Sequence, residues 1–245
     1  MAPGFSLTLP PEAMVRRMLL PLSPLDWLAL AVFIACWIGY AAVVDRVPAI
    51  RDRSVIAAMD QHRRRWMAAV PHRENRIADI SIIGNLMTST SFLANTSIFI
   101  LGALVAMLGS PELGSRIFGA VPFAEVPQDS VAWEMRIFLL ILIFVRAFFE
   151  LTWALRQFNY CSICVGGLPE GTAGEPAAAI AAEVANRAAR HFNTGLRAYY
   201  FGLAALAWIL HPLALIIASL LVLRELHRRE FRSVVRDALA LPNQG

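Results

Sequence analysis

Charge is scarce in this chain. Asp, Glu, Lys and Arg make up 16% of its 245 residues, against about 25% in an ordinary soluble domain. Lysine is absent, so all 22 basic residues are arginine, a bias that GC-rich codon usage explains. There are three cysteines. Cys36 falls inside an apolar run and reads as a small packed group. Cys161 and Cys164 form one CxxC, half of the four ligands a structural zinc site needs, so they are only weak metal candidates. The sequence has no GxSxG, HExxH, P-loop or GxGxxG, which removes the standard catalytic signatures. No catalytic residue and no cofactor is assigned, and the reading leans away from an enzyme.

Apolar residues are abundant, at 58% of the chain, and the mean hydropathy is +0.56. They gather in four runs, 25–44, 92–109, 137–155 and 196–223. Each is long enough to cross a bilayer core as a helix, which takes about 20 residues. The expected fold is an all-α integral membrane protein with four transmembrane helices, about 25–44, 82–109, 133–157 and 196–223. These make one domain over 25–235, after an irregular segment 1–24 and before a tail 236–245. Arg16 and Arg17 precede the first run, but that run exceeds a signal-peptide core and no clean cleavage site follows. A retained first helix is expected.

Arginines crowd the flanks. Segment 45–79 carries eight, 156–197 carries four, and the tail has Arg224, Arg228, Arg232 and Arg236 at steps of four. The positive-inside rule applied to four helices puts both termini outside, with the tail arginines resisting. Within 51–70, apolar residues recur at helical spacing. That segment either lies in the interface with Arg63, Arg64, Arg65 and Trp66 at lipid headgroups, or packs on its own protein. A net charge of +4 in such a chain points to anionic lipid, not nucleic acid.

Two charges interrupt the third run. Arg or an acid at a helix centre costs roughly 2.5–3.5 kcal/mol, so Arg146 and Glu150 together cost roughly 5–7. Thirteen Leu, Ile, Phe or Val in 137–155 return roughly 4–8 kcal/mol. The helix is marginal alone and needs its charges satisfied. Their i, i+4 spacing lets them pair, and Trp153 and Gln157 continue the face. On the second run Asn85, Thr88 and Asn95 share a face with Phe92 and Phe99. Both faces are expected to turn inward and meet. The pair either fixes helix packing or marks a proton, ion or headgroup route. His211 precedes Pro212 within the fourth run. Proline kinks a helix, and His211 is expected to fill the kink near the freed Trp208 carbonyl.

Five motifs in order, HRRRWM, RENRIAD, ALRQFNY, HFNTGLRAYYF and REFRS, resemble the bacterial membrane family known as domain of unknown function 599. SFLANTS stands where a FFAST-like form is expected. The resemblance implies an uncharacterised multi-pass membrane protein and carries no activity. Its motifs set Asn159, Tyr160, His191, Asn193, Arg197, Tyr199 and Tyr200 at a membrane boundary. There they suit lipid headgroups or, as favoured by the donors and acceptors of Asn159 and Asn193, a fixed network between helix ends.

The functional expectation is a non-enzymatic component of the bacterial inner membrane: a scaffold, assembly factor or accessory subunit touching anionic lipid, within a larger complex or homo-oligomer. The alternative is a small transporter or channel using Arg146 and Glu150.

Overall fold

The computed structural model describes residues 22–108, 110, 112, 116, 130–232 and 234–240. Every regular element among them is helical. The expected irregular segment 1–24 and the loop 110–130 lie mostly outside the described residues.

Local chemistry starts each helix. α1 covers Pro24–Arg46. Ser23 Oγ accepts the Asp26 N–H at 3.2 Å while Asp26 Oδ2 accepts the Ser23 N–H at 3.0 Å, a reciprocal cap. A π-helical turn occupies Ala35–Gly39, and α1 ends at Val47, which is extended ahead of Pro48. The short α2, Pro48–Arg51, leads to α3, Val55–Ala69, capped where Ser54 Oγ accepts the Ala57 N–H at 3.1 Å. Then follow α4 (Ile77–Leu108), α5 (Ser130–Gly166), α6 (Glu175–Leu210), α7 (Pro212–Phe231) and α8 (Val234–Ala240). Three helices, α1, α4 and α5, are long and apolar enough to cross a membrane.

The fourth apolar run is not one kinked helix over 196–223. Its first half ends α6, a helix that begins back at Glu175 in the Ala-rich segment. His211 is extended, at φ −165° and ψ 146°, and α7 starts at Pro212. The chain then reverses. Leu226 of α7 lines one cavity with Leu196 and Tyr200 of α6, so the two helices are antiparallel arms of a hairpin. Proline explains the break, since it lacks an N–H and forces the preceding residue out of the α region. His211 does not fill a kink: its Nδ1 accepts the Leu213 N–H at 3.0 Å and caps α7.

The hairpin sets the layout of the bundle. Its turn lies at the upper end, where α1 and α5 begin and Asp26 touches both Arg136 and Trp208. α7 returns to the lower end, where Glu230 accepts the Ile56 N–H of α3 at 3.3 Å. The start of α1 and the end of α7 thus lie at opposite ends, not at one end as four helices required. The tail's arginine stripe is interrupted as well, because α7 stops before Arg232.

α5 packs on both α4 and α6. One core joins Phe33, Trp133, Phe144, Phe201 and Trp208 in the apolar layer. A second, at the lower end, joins Met67, Ile83, Phe158 and Val165 to the small side chains of Ala181 and Ala185. Glycine permits the α5–α6 contact: a Cβ on Gly195 would stand 2.8 Å from Leu151, and one on Gly202 would stand 2.9 Å from Phe144.

Candidate functional site

Arg146 and Glu150 do pair, at 3.0 Å. The carboxylate also meets His191 Nδ1 of α6 at 2.8 Å, and the His191 ring packs edge-on to Trp153. The pair sits at the rim of the bundle, however. The Arg146 side chain is 56% exposed and Glu150 18%; Trp153 is exposed and Gln157 is buried. The face expected to turn inward is therefore split across the α5 edge.

Asn85, Thr88 and Asn95 do not meet it. All three are exposed, and Phe92 and Phe99 beside them are 70% and 78% exposed. The buried face of α4 carries Ile83, Thr90, Ala94, Ser97 and Leu104 instead. Ser97 Oγ lies 2.8 Å from the Tyr199 hydroxyl of α6, while Thr88 Oγ1 donates to the Gly84 carbonyl of its own helix at 3.0 Å. A hydroxyl satisfied within its helix needs no partner helix, which leaves small side chains to decide the face.

The headgroup arginines divide. Arg63 Nε donates to Asn186 Oδ1 of α6 at 2.7 Å, and Trp66 Nε1 donates to Asp79 at 2.6 Å. Arg64 reaches Glu183 at 3.4 Å, and Arg65 is exposed. α3 is thus packed on α6, with buried Met67 inward. Of the boundary residues, Asn193, Arg197 and Tyr200 share one cavity. Asn159 and Tyr160 are exposed, and Tyr160 takes the Arg156 Nε–H at 2.5 Å. The joint network expected of Asn159 and Asn193 does not form. The Cys161 thiol is buried against the Ala181 carbonyl at 3.8 Å, and His191 is engaged with Glu150 rather than near the cysteines.

Two buried carboxylates were not visible in the sequence as sites. Asp26 Oδ1 accepts from Arg136 at 3.1 Å and from Trp208 Nε1 at 2.7 Å. The guanidinium lies 5.5 Å from the Trp208 ring and reaches the Ile209 carbonyl at 3.5 Å. Asp79, fully buried, takes Arg73 as well as Trp66. The signal for Asp79 was its place in RENRIAD; Asp26 gave only its cap spacing from Ser23.

Among the described residues, several cavities open at the lower end. The largest, about 550 Å³, lies between the end of α1, the start of α3 and α6, with Arg197 in its wall. A smaller one of about 220 Å³ adjoins it through Val44, Ile56 and Arg197 and is mainly apolar. A third, about 430 Å³, is walled by Tyr40, Ile50 and Phe231 with Arg53, Arg232 and Arg236, and no acid among the described residues lines it.

A family model described as "Protein of unknown function, DUF599" matches residues 28–235. The chain belongs to the DUF599 family. The match takes in the hairpin, Arg136 and, Arg236 apart, the lower-end cavities of this DUF599 protein, and it begins just after Asp26. No curated protein and no solved structure matches the chain.

Proposed function

We propose that this DUF599 protein is a multi-pass component of the bacterial plasma membrane, non-enzymatic, with its arginine-rich lower end on the cytoplasmic side in contact with anionic lipid. The reversal at His211–Pro212 carries this reading. With the hairpin, segments 45–79, 156–197 and 224–236 all belong to the lower end, and they hold seventeen of the 22 arginines. Lys and Arg excess marks the cytoplasmic side, and the tail arginines now agree with the rest. The chain would cross five times, with the start of α1 outside and α7 ending inside. The apolar part of α7, Pro212 to Leu223, is about 18 Å long at 1.5 Å per residue, short for a core of about 30 Å. Arg224 and Arg228 would snorkel to the lower boundary.

The cavity rimmed by Arg53, Arg232 and Arg236 supports the lipid contact. Its apolar walls and single sign of charge suit an anionic amphiphile. Reporter fusions at positions 75, 120, 175 and 240 test the topology. Expected are cytoplasmic signals at 75, 175 and 240 and an external one at 120. An external signal at 240 beside a cytoplasmic one at 175 rejects the hairpin crossing.

A further inference from the structure

The largest lower-end cavity is built unlike its neighbours. Four arginines line it, Arg51, Arg64, Arg190 and Arg197, and so do four acids, Asp45, Asp52, Asp60 and Glu183. Most of these charges satisfy one another: Arg190 meets Asp60 at 3.2 Å and Glu183 at 3.1 Å, and Arg51 meets Asp52 at 3.3 Å. Arg197 is the exception. It is 9% exposed and its Nη2 holds Asp45 at 2.8 Å, yet its Nη1 is buried with no hydrogen-bond partner. A buried charged donor left unsatisfied is costly, so this position calls for an acceptor.

The lining is neutral in sum, with four charges of each sign. It disfavours a bare dianion and matches a ligand that carries both signs. The order of polarity narrows the choice. On the α7 side of Arg197 lies an adjoining, mainly apolar cavity lined by Tyr40, Val44, Leu196, Tyr200 and Leu226 together with Asn193, Arg229 and Glu230. On the other side stand Asp45 and Asp52, whose side chains are 47% and 65% exposed. Hydrocarbon, phosphate and ammonium follow one another in that order in an aminophospholipid. A quaternary ammonium would want an aromatic cage, and no aromatic residue among those described lines the polar cavity. A primary ammonium instead has N–H donors for the carboxylates.

We propose that the cavity between α1, α3 and α6 binds the headgroup of a primary-amine zwitterionic phospholipid, with the phosphodiester on Arg197 Nη1 and the ammonium at Asp45 and Asp52. The source of the lipid rests on the membrane reading above; the chemistry of the cavity does not.

Thermal unfolding of the full chain in detergent, with added short-chain phosphatidylethanolamine, phosphatidylcholine or phosphatidylglycerol at equal molar ratio, tests the proposal. The ethanolamine lipid should raise Tm by several degrees more than the other two. Asp52→Asn, a change at an exposed carboxylate, should keep the fold and weaken the ethanolamine response at least fivefold in apparent Kd, and Arg197→Gln should abolish it. Equal responses to all three lipids overturn the proposal, as does an unchanged ethanolamine preference in Asp52→Asn. Soluble glycerophosphoethanolamine, titrated by calorimetry, separates the sources: if it binds while no lipid shifts Tm, the lipid source is rejected. A failed topology assay alongside an intact ethanolamine preference would reject the crossing pattern and leave the cavity assignment standing.

Discussion

The carboxylate of Asp26 and the guanidinium of Arg136 pair at 3.1 Å with both side chains 7% exposed, 110 residues apart in the chain. The same carboxylate holds the Trp208 indole. One acid therefore joins the starts of α1 and α5 to the last turn of α6, just before the hairpin reverses. Taking one partner out of such a buried pair leaves an uncompensated charge.

Asp26→Asn and Arg136→Met should each destabilise the detergent-solubilised protein by about 3–5 kcal/mol. The double variant Asp26→Leu with Arg136→Met should recover most of that loss, because a buried pair is often no better than a well-packed apolar one. Denaturant unfolding of the three variants measures it. If the double variant loses as much as the two single variants combined, the residues are not coupled.

The α5–α6 seam makes a second prediction about where glycine is needed. Gly202→Val and Gly195→Val would drive a side chain into Phe144 and Leu151, and each should cost about 1–3 kcal/mol. Gly84→Ala and Gly102→Ala meet nothing within 4 Å. They should be neutral or stabilising by up to about 1 kcal/mol, the helix advantage of Ala over Gly. Thermal unfolding of the four variants ranks them; a loss at Gly102→Ala of the size seen at Gly202 would mean that another chain covers that face of α4.

Much of this architecture was legible from hydrophobic runs and short spacings. The helical positions of 25–44 and 137–155, and the contact of Arg146 with Glu150, follow from the period of the helix alone. A disturbance at Pro212 was legible too, as a kink within one helix rather than as the break that is found. Its angle was not: proline states that a helix stops, and Leu and Ile on both sides hide whether the chain continues or turns back. The inward face of α4 was ambiguous for a related reason. Asn85, Thr88 and Asn95 repeat at the same spacing as Thr90, Ala94 and Ser97, and only the partner Tyr199, some hundred residues on, separates the two faces. Asp26 with Arg136 and Arg197 with Asp45 are invisible for the same cause, since their proximity is a product of the fold.

Glu150 offers a test between a packing role and a conducting one. Its carboxylate bridges Arg146 on its own helix and His191 on α6, which joins α5 to α6 at their edge. Glu150→Gln keeps an acceptor for His191 and removes the charge facing Arg146. Arg146 lies midway along α5, a helix long and apolar enough to cross a membrane, where an Arg left without its partner costs roughly 2.5–3.5 kcal/mol, so a loss of about that size is expected. Carbodiimide labelling should leave Glu150 unmodified in membranes if it serves packing. Labelling that depends on pH, together with flux in reconstituted vesicles abolished by Glu150→Gln, would establish the transport alternative.

The last prediction concerns pH at the lower end. Burial pushes the Glu230 carboxyl above the ordinary glutamate value, against the pull of the Ile56 N–H, Arg197 and Ser54, and Asp45 adds to the rise. An acid whose folded pKa is raised favours the folded state in its protonated form. That contribution is complete below the unfolded value of about 4.3 and is lost as pH climbs through the folded value. Ionised Glu230 therefore works against the junction of α7 with α3 at neutral pH. Glu230→Gln keeps an oxygen to accept the Ile56 N–H and cannot ionise. Its Tm should match that of the parent near pH 4, exceed it at pH 7 to 8, and vary less between. Unfolding temperatures of both proteins across that interval measure the effect, and a variant less stable than the parent at pH 8 would show that the Glu230 charge, through Arg197, holds the lower end together.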